Sequence, residues 1–261
     1  HEGPAAKALV VPHAGYVYSG PVAGSAYAQL RPLRERIRRV VLLGPSHRVG
    51  FRGLAVPSAD AFDTPLGPVP IDREGVALAL GLPQVRPLDE AHAQEHSLEV
   101  QLPFLQLALE RFRLETLVLV SSDLSHYLPY AEARSLDRRT AQSIERLAPR
   151  EIGREQACGR LPLQGLLLAA RRHGLHAHTL DVRSSGDTAG TRDAVVGYGA
   201  WAFRADPPLR RSAGLEPLLL VARASVEHGL QSGARDPSLH TGRRLRTQSR
   251  SPHATLKHGR P

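Results

Sequence analysis

The chain places three histidines directly after three short apolar runs. The histidines are His13, His47 and His126, and the runs before them are Ala8–Val11, Val40–Leu43 and Leu114–Val120. Runs of this length between Gly, Pro or Ser residues are typical of buried strands. Ligands of open α/β sheets bind at the carboxyl ends of the strands, so we expect the three imidazoles in one crevice. Two neutral imidazoles and one further donor leave positions open at a catalytic metal ion, and the pattern favours such a site over unrelated polar residues.

A single cysteine, Cys158, is the only thiol in the sequence. One cysteine excludes an internal disulfide framework and indicates a reducing, cytoplasmic setting. Cys158 comes shortly before a predicted helix at Leu163–His173, and the start of a helix lowers the pKa of a thiol and favours the metal-binding thiolate. A lone cysteine is also commonly buried and inert, so both interpretations stay open.

A carboxylate and two hydroxyls accompany His126. Ser121-Ser122-Asp123 precedes it in the sequence, and Asp123 is predicted to orient its ring as carboxylates do around metal sites. Ser122 and Asp123 could instead cap the turn after the strand. A Ser–His–Asp triad is not favoured, because the sequence lacks the elbow that exposes a nucleophilic serine.

Two further polar segments are candidates for contact with a ligand. Glu95 and His96 open a predicted helix, where a carboxylate also simply favours the helix dipole, and His96 could reach the site. Residues Ser184–Gly190 are rich in Ser and Gly and could hold a phosphate or carboxylate by their N–H groups. A plain turn is an equal alternative there, since no P-loop lysine accompanies the segment.

The elements that must position these residues alternate between strands and helices. A strand at Ala8–Val11, a helix at Gly20–Arg39 and a strand at Val40–Leu43 form a compact unit that indicates a parallel sheet. Arg48–Asp72 is rich in Gly and Pro and is typical of a structured loop or hairpin. The remaining predicted helices are Asp72–Gly81 with Asp72 as cap, Glu95–Phe112, Tyr130–Leu147 and Leu163–His173, and the remaining strands are Leu114–Val120, His176–Val182 and Val195–Phe203. The predicted fold is α/β, with a mostly parallel central sheet and helices on both faces.

Charge and composition divide the chain near residue 206. Residues 237–261 hold six of the basic residues and no acidic one, whereas the rest holds 28 basic and 25 acidic residues. The formal charge of +9 therefore belongs mainly to a tail, which has no aromatic residue for base stacking, and nucleic acid is not a favoured partner. We expect one domain over 1–205, and over 206–261 a linker, an amphipathic helix at Leu215–Leu230 and a disordered basic tail. No apolar stretch is long enough to span a membrane.

The ordered set of motifs resembles the Memo family, the B component of the AmmeMemoRadiSam system. The match spans nearly all of residues 8–204, and although each motif is short, their order is specific. The residues that carry it are Pro12-His13-Ala14-Gly15-Tyr16, Gly44-Pro45-Ser46-His47, the segment from Glu95 to Pro103, Ser121-Ser122-Asp123 with His126, Cys158-Gly159-Arg160, and Ser185-Gly186-Asp187 through Gly197-Tyr198.

The resemblance implies a fold similar to class III extradiol ring-cleaving dioxygenases and a metal held by His13, His47 and Cys158. It implies His126 as the acid–base histidine, with Asp123 nearby. A thiolate in the third place admits copper as well as iron, so Fe²⁺ is the first expectation, with copper or zinc as alternatives. The implied activity is that of a mononuclear non-haem oxidoreductase. The matched motifs also predict a substrate-binding set that consists of Tyr16, Ser46, Glu95, His96, Ser185 and Asp187.

The resemblance also bears on partners and on departures from the family pattern. It implies a small-molecule or phosphorylated ligand and association with the A component and the radical-SAM protein of the same system. The alternative is a non-catalytic binding module for a phosphorylated or carboxylated ligand. Hydrolysis by a zinc-bound water is less favoured, because no glutamate has HExxH-like spacing.

Residues 215–233 resemble the opening helix of the A component, and we expect a truncated start of it there. The family's N-terminal segment and a strand–helix unit between Phe112 and Leu114 are expected to be missing.

Overall fold

A computed structural model describes residues 5–109 and 115–205 of the chain. The expected linker, helix and tail over 206–261, and the expected missing unit near Phe112, lie outside these residues. The described residues also contain five short 3₁₀ helices, at Ala28–Leu33, Asp89–Ala91, Glu99–Gln101, Pro149–Glu151 and Arg154–Gln156. The strands and α-helices are, in chain order, β1 (Ala6–Val11), α1 (Tyr16–Tyr27), β2 (Ile37–Leu43), β3 (Leu54–Val56), β4 (Ala61–Phe62), β5 (Val69–Pro70), α2 (Arg73–Leu80), β6 (Val85–Pro87), α3 (Leu102–Ala108), β7 (Glu115–Ser121), β8 (His126–Leu128), α4 (Tyr130–Glu145), α5 (Arg160–Arg172), β9 (Leu175–Ser184), α6 (Ser185–Thr188) and β10 (Val195–Ala205).

Six strands form the central sheet of the described region. Its order is β2-β7-β1-β10-β8, and β9 also pairs with β10. Strand β7 runs parallel to both β2 and β1, whereas β10 is antiparallel to β1, β8 and β9. Five of the six strands therefore point the same way and β10 runs against them, which confirms the predicted α/β class with a mostly parallel central sheet.

Helices cover both faces of this sheet because the apolar side chains of its strands point to one face and the other in turn. Leu9 of β1 packs on one face with Val22 of α1, in a cluster that also includes α3. Val10, the next residue, packs on the opposite face with Ile144 of α4 and Leu163 of α5. Successive residues of a strand point to opposite faces, so an uninterrupted apolar run serves two cores. The two cores fix the strand ends that hold the candidate site.

The helix predicted at Gly20–Arg39 is wrong in its bounds. Helix α1 begins earlier, at Tyr16, and ends at Tyr27, after which Ala28–Leu33 is a 3₁₀ helix. Pro32 has no N–H to donate to the Ala28 carbonyl, and the chain continues there as a 3₁₀ helix, although α1 itself accommodates Pro21. Ile37 then opens β2 instead of closing a helix, and its buried side chain joins the core on the α1 face.

The long helix predicted at Glu95–Phe112 is also wrong in its bounds, and its residues 110–112 lie outside the described part of the chain. The segment begins as a turn, continues as the 3₁₀ helix Glu99–Gln101, and becomes α-helical only over Leu102–Ala108. The Glu95 carboxylate accepts the N–H groups of its own next two residues, which folds the chain back at that point. Pro103 supplies no N–H for a helical bond to Glu99, which favours an α-helix that starts at Leu102, directly before it.

The other predicted elements are confirmed with small shifts of their ends. The loop Arg48–Asp72 contains the antiparallel pair β4–β5, and Asp72 caps α2 by accepting the N–H of Gly75 at 3.0 Å. Helix α5 begins at Arg160, three residues before its predicted start, which brings Cys158 next to its first turn. Among the described residues, no helix has both the length and the apolar character needed to cross a membrane.

Candidate metal centre

Three predicted ligands meet at one end of the sheet. His13 follows β1, His47 follows β2, and Cys158 precedes α5. Each offers a ligand atom, and these atoms all lie within 4.8 Å of one another. The Cys158 Sγ is 3.3 Å from His13 Nε2, and the two imidazole centroids are 5.2 Å apart. Since β1 and β2 both run parallel to β7, their carboxyl ends deliver the two histidines to the same edge.

Glu95 determines which nitrogen of His47 faces the centre. One carboxylate oxygen lies 2.9 Å from His47 Nδ1, and the other accepts the backbone N–H of His47 at 2.5 Å. A carboxylate only accepts, so Nδ1 carries the proton and Nε2 keeps its lone pair. Burial alone raises the pKa of Glu95, but the hydrogen bonds from His47 and Ser97 outweigh it and lower the pKa to about 2. Glu95 is therefore an anion that orients the His47 ring.

His13 is held in the same way by a neutral partner. The residue is 1% exposed, and its Nδ1 lies 2.9 Å from the hydroxyl of Ser121, at the end of β7. Burial, and then repulsion from His47 and His96, lower the pKa of His13 well below its ordinary value. A neutral imidazole with a free nitrogen is the form that binds a metal ion.

The Cys158 thiol differs from the expectation based on its helix. Burial, and next the nearby charge of Asp123, raise the pKa of Cys158 to about 12, so the prediction of a lowered pKa is wrong for the metal-free chain. The start of α5 contributes less than the loss of water around the sulfur. The backbone N–H of Asp123 donates to Sγ at 3.3 Å. A bound cation would supply the positive charge that stabilises the thiolate.

Ser122 and Gly159 hold the cysteine loop against the end of β7. The Gly159 N–H donates to the Ser122 hydroxyl at 2.9 Å. A Cβ on Gly159 would lie 2.6 Å from the Ser121 carbonyl oxygen and 2.7 Å from the Ser122 Cβ. Only glycine allows this close approach, which explains the glycine directly after the candidate ligand.

Asp123 contacts His13 more closely than it contacts His126. The buried Asp123 carboxylate accepts the backbone N–H of His13 at 2.7 Å. Burial is the largest influence on the pKa of Asp123 and raises it above its ordinary value. The His126 ring instead has its Nδ1 2.8 Å from the Leu124 carbonyl, to which it donates. The described contacts thus give Asp123 a place in the His13 loop, while a carbonyl oxygen orients His126.

His96 lies at the mouth of the centre. Its ring centroid is 5.0 Å from that of His47 and 5.6 Å from that of His13, and its side chain is 48% exposed. His47, Glu95 and His96 form a second group whose ligand atoms lie within 4.8 Å of one another. The Glu95 oxygens already accept N–H groups from His47, His96 and Ser97, so this second group suits a metal less well.

The other predicted substrate-binding side chains are engaged with the protein. The Tyr16 hydroxyl donates to the Val100 carbonyl at 3.1 Å, and the Ser46 hydroxyl donates to the Val49 carbonyl at 2.8 Å. Ser185 and Asp187 belong to the short helix α6. The Ser185 hydroxyl accepts the Val196 N–H at 3.1 Å, and Asp187 accepts from the Tyr130 hydroxyl and the Ser184 N–H at 2.5 and 2.9 Å.

Sequence reasoning missed two buried polar residues beside the centre. Ser121 and Gln101 are both fully buried, and neither was singled out for a role of its own. The Gln101 amide donates to Ser121 at 2.8 Å and to the Pro12 carbonyl at 2.9 Å. The available signal was a glutamine between apolar residues, since a buried amide requires partners.

Comparisons with known proteins agree over most of the chain. The profile of the family described as Memo-like protein matches residues 1–115 and 114–202. A "MEMO1 family protein" of Aquifex aeolicus (strain VF5) is 36% identical over 227 residues, which covers 74% of this chain and 84% of the relative. Proteins of the same description from Sulfolobus acidocaldarius and Aeropyrum pernix are 33% and 36% identical, and cover 73% and 76% of this chain and 80% and 83% of their own lengths.

Proposed function

The chain belongs to the Memo-like protein family, and we propose that it binds one transition-metal ion through His13, His47 and Cys158. The convergence of these three donors carries the proposal, because they approach from three separate elements and lie within 4.8 Å of one another. Hydrogen bonds leave Nε2 of both histidines free for coordination. Three protein ligands leave at least one position open, as a catalytic metal requires.

The family resemblance puts iron first, and the donor set admits copper as the second candidate. Two imidazoles suit both metals, and a thiolate in the third place is softer than the carboxylate of the common iron triad. Zinc also accepts this set and remains the third candidate. A bound iron or copper ion would supply one-electron chemistry and polarise a bound oxygen atom or carbonyl.

We propose that the reaction is an oxidation of a small organic substrate with O₂ as the oxidant, related to the chemistry of extradiol dioxygenases. His126 would exchange a proton with that substrate, since its Nδ1 donates to the Leu124 carbonyl and its other nitrogen is left to accept. Asp123 would hold the His13 loop during the reaction, through the backbone N–H of His13. Association with an A component and a radical-SAM protein belongs to the same proposal and rests on the family resemblance.

Elemental analysis of protein purified without oxygen tests the metal assignment. Wild type is expected to hold close to one equivalent of iron or copper, and Cys158→Ser and His47→Ala are expected to lose it. His178→Ala is the matched control, because His178 is an exposed histidine on β9. Retention of the metal by both site variants would overturn the assignment.

The non-catalytic binding module fits these contacts less well. Burial lowers the pKa of His13 and of His96, so these imidazoles are neutral at pH 7 and attract an anion weakly. Titration of metal-free protein with inorganic phosphate distinguishes the two functions. Tight binding that survives His47→Ala would favour the module, whereas weak binding in every variant would favour the metal site.

A further inference from the structure

We infer that Gln101, which is not a ligand, is a positioning residue that fixes the tautomer of His13 through Ser121. The inference rests on the proposed metal-binding function and concerns the protein's own hydrogen bonds. Gln101 precedes α3, Ser121 ends β7, and His13 follows β1, so three separate elements are joined. Gln101 and Ser121 are fully buried and His13 is 1% exposed.

The orientation of the Gln101 amide follows from its partners. One end of the amide lies 2.9 Å from the Pro12 carbonyl oxygen, which can only accept, so that end must be the NH₂ group. The other end, the amide oxygen, accepts from the Tyr27 hydroxyl at 2.7 Å. Both ends are thus assigned, and the second N–H of the amide points at the Ser121 hydroxyl, 2.8 Å away.

The Ser121 hydroxyl then has no proton to give to His13. It lies 2.6 Å from the Ser97 carbonyl oxygen, which only accepts, so its single proton is used there. With one N–H arriving from Gln101, the remaining contact to His13 Nδ1 at 2.9 Å must be donated by the histidine. His13 therefore carries its proton on Nδ1, and Nε2, 3.3 Å from Cys158 Sγ, presents its lone pair to the centre.

The same network connects the supports of both histidines. Gln101 binds the carbonyl of Pro12, directly before His13, and Ser121 binds the carbonyl of Ser97, two residues after Glu95. Glu95 in turn orients His47. Hydrogen bonds buried away from water are stronger and polarise one another, so the loss of one hydrogen bond weakens the others in the network. Partners that orient metal-binding histidines contribute roughly 10–100-fold to metal affinity.

Replacement of Gln101 by leucine, with Co²⁺ as the probe, tests the inference. Co²⁺ titration measures affinity, and the thiolate-to-cobalt absorption reports the bond to Cys158. Gln101→Leu is expected to bind Co²⁺ roughly 10–100-fold more weakly than wild type. Gln164→Leu is the matched control, because buried Gln164 likewise donates to two carbonyls, those of Pro149 and Ile152, both at 3.0 Å. It is expected to retain wild-type affinity.

A spectroscopic readout separates positioning from general stability. ¹⁵N NMR of the histidine rings in metal-free protein distinguishes Nδ1–H from Nε2–H tautomers, with His13→Gln used to assign the signal. Wild type and Gln164→Leu are expected to show His13 as the Nδ1–H form, and Gln101→Leu a mixture. Ser121→Ala should give the same mixture, and the double variant should lose little more affinity, because both residues act on one bond.

Each result decides the matter. Wild-type affinity together with a pure Nδ1–H signal in Gln101→Leu would overturn the inference. If Gln101→Leu fails to fold, Tyr27→Phe and Ser121→Ala decide it, since each removes one neighbouring bond of the network. If wild type binds no Co²⁺, the proposed metal function fails, and the NMR signal still shows whether Gln101 fixes the tautomer.

Discussion

At the scale of single residues, the candidate centre contains two imidazoles whose free nitrogens are selected by hydrogen bonds. Glu95 selects Nε2 of His47, and Ser121 selects Nε2 of His13. Burial lowers the pKa of His13 and raises the pKa of Cys158 to about 12, which opposes charge on both while no cation is present. A bound metal ion would reverse this balance, because its positive charge would stabilise a thiolate.

Glu95→Gln is expected to weaken Co²⁺ binding by roughly 10–100-fold. The amide keeps the shape of the side chain, but its NH₂ end cannot accept from His47 as the carboxylate does at 2.5 and 2.9 Å. Calorimetric titration measures the change. Glu99→Gln, at an exposed glutamate in the next turn, is the control and should bind like wild type. Equal affinities in the two variants would contradict a role for Glu95.

At the scale of elements, the loop Ser122–His126 is held by α4, α5 and β10. Asp137 of α4 accepts the Ser125 N–H at 3.0 Å, and Gly197 of β10 accepts from Leu124 and donates to Ser125. A Cβ on Gly197 would lie 2.0 Å from the Asp137 carboxylate, so this strand passes close to the helix only as glycine. The candidate acid–base residue therefore depends on packing behind it.

Asp137→Asn is expected to stabilise the protein at pH 7 and to have little effect below about pH 4. Burial raises the pKa of Asp137 from 3.8 to about 6, so the folded state binds its proton more tightly than the unfolded state. Stability therefore falls as pH rises through this interval, and the cost is complete above it. The gain at pH 7 is at most roughly 3 kcal/mol. Urea unfolding from pH 4 to 8 measures it, with exposed Asp193→Asn as control.

Gly159→Ala is expected to lower both stability and metal affinity. The new methyl group meets backbone and side-chain atoms at 2.6 and 2.7 Å, which must move together with the Cys158 loop. Overpacking of this kind costs about 1–3 kcal/mol. Gly24→Ala is the contrasting control, because its Cβ meets nothing within 4 Å on α1 and should stabilise the helix. Thermal unfolding measures stability and Co²⁺ titration measures affinity in both variants. Wild-type stability and affinity in Gly159→Ala would contradict the close packing at this position.

At the scale of the whole molecule, two apolar cores hold the strand ends in register. Leu9 and Val10, neighbours in β1, are both fully buried but belong to different cores. The parallel pairing of β1, β7 and β2 carries His13, Ser121 and His47 to one edge. The candidate site at that edge therefore depends on the folding of the entire sheet.

A bound metal ion is expected to raise the melting temperature of wild type and to leave Cys158→Ser unchanged. Its ligands come from elements far apart in sequence, so the unfolded chain offers no comparable site. At a free concentration 100 times the dissociation constant, the gain is about 2.7 kcal/mol. Thermal scans with and without Co²⁺, and after chelation, measure it. Equal shifts in both proteins would place the metal elsewhere.

The sequence by itself determined most strands of the central sheet, the class of fold and the positions of His13 and His47 after strands, whereas Cys158 as a third ligand followed from the family resemblance. An apolar run such as Ala8–Val11, and a histidine that directly follows it, can both be recognised from residues that are neighbours in the sequence. Pro32 and Pro103 were equally visible, yet where the helices began and ended depended on contacts of Ile37 and Glu95 with distant residues.

Only the tertiary structure decided how the candidate centre is arranged. Gln101 meets Pro12 across 89 positions, and Cys158 meets His13 across 145, so no local pattern links them. The same holds for the Cys158 pKa, which followed burial more than the start of its helix. Hydrogen-bond partners and loss of water are properties of the packed chain, because they depend on which distant segments meet.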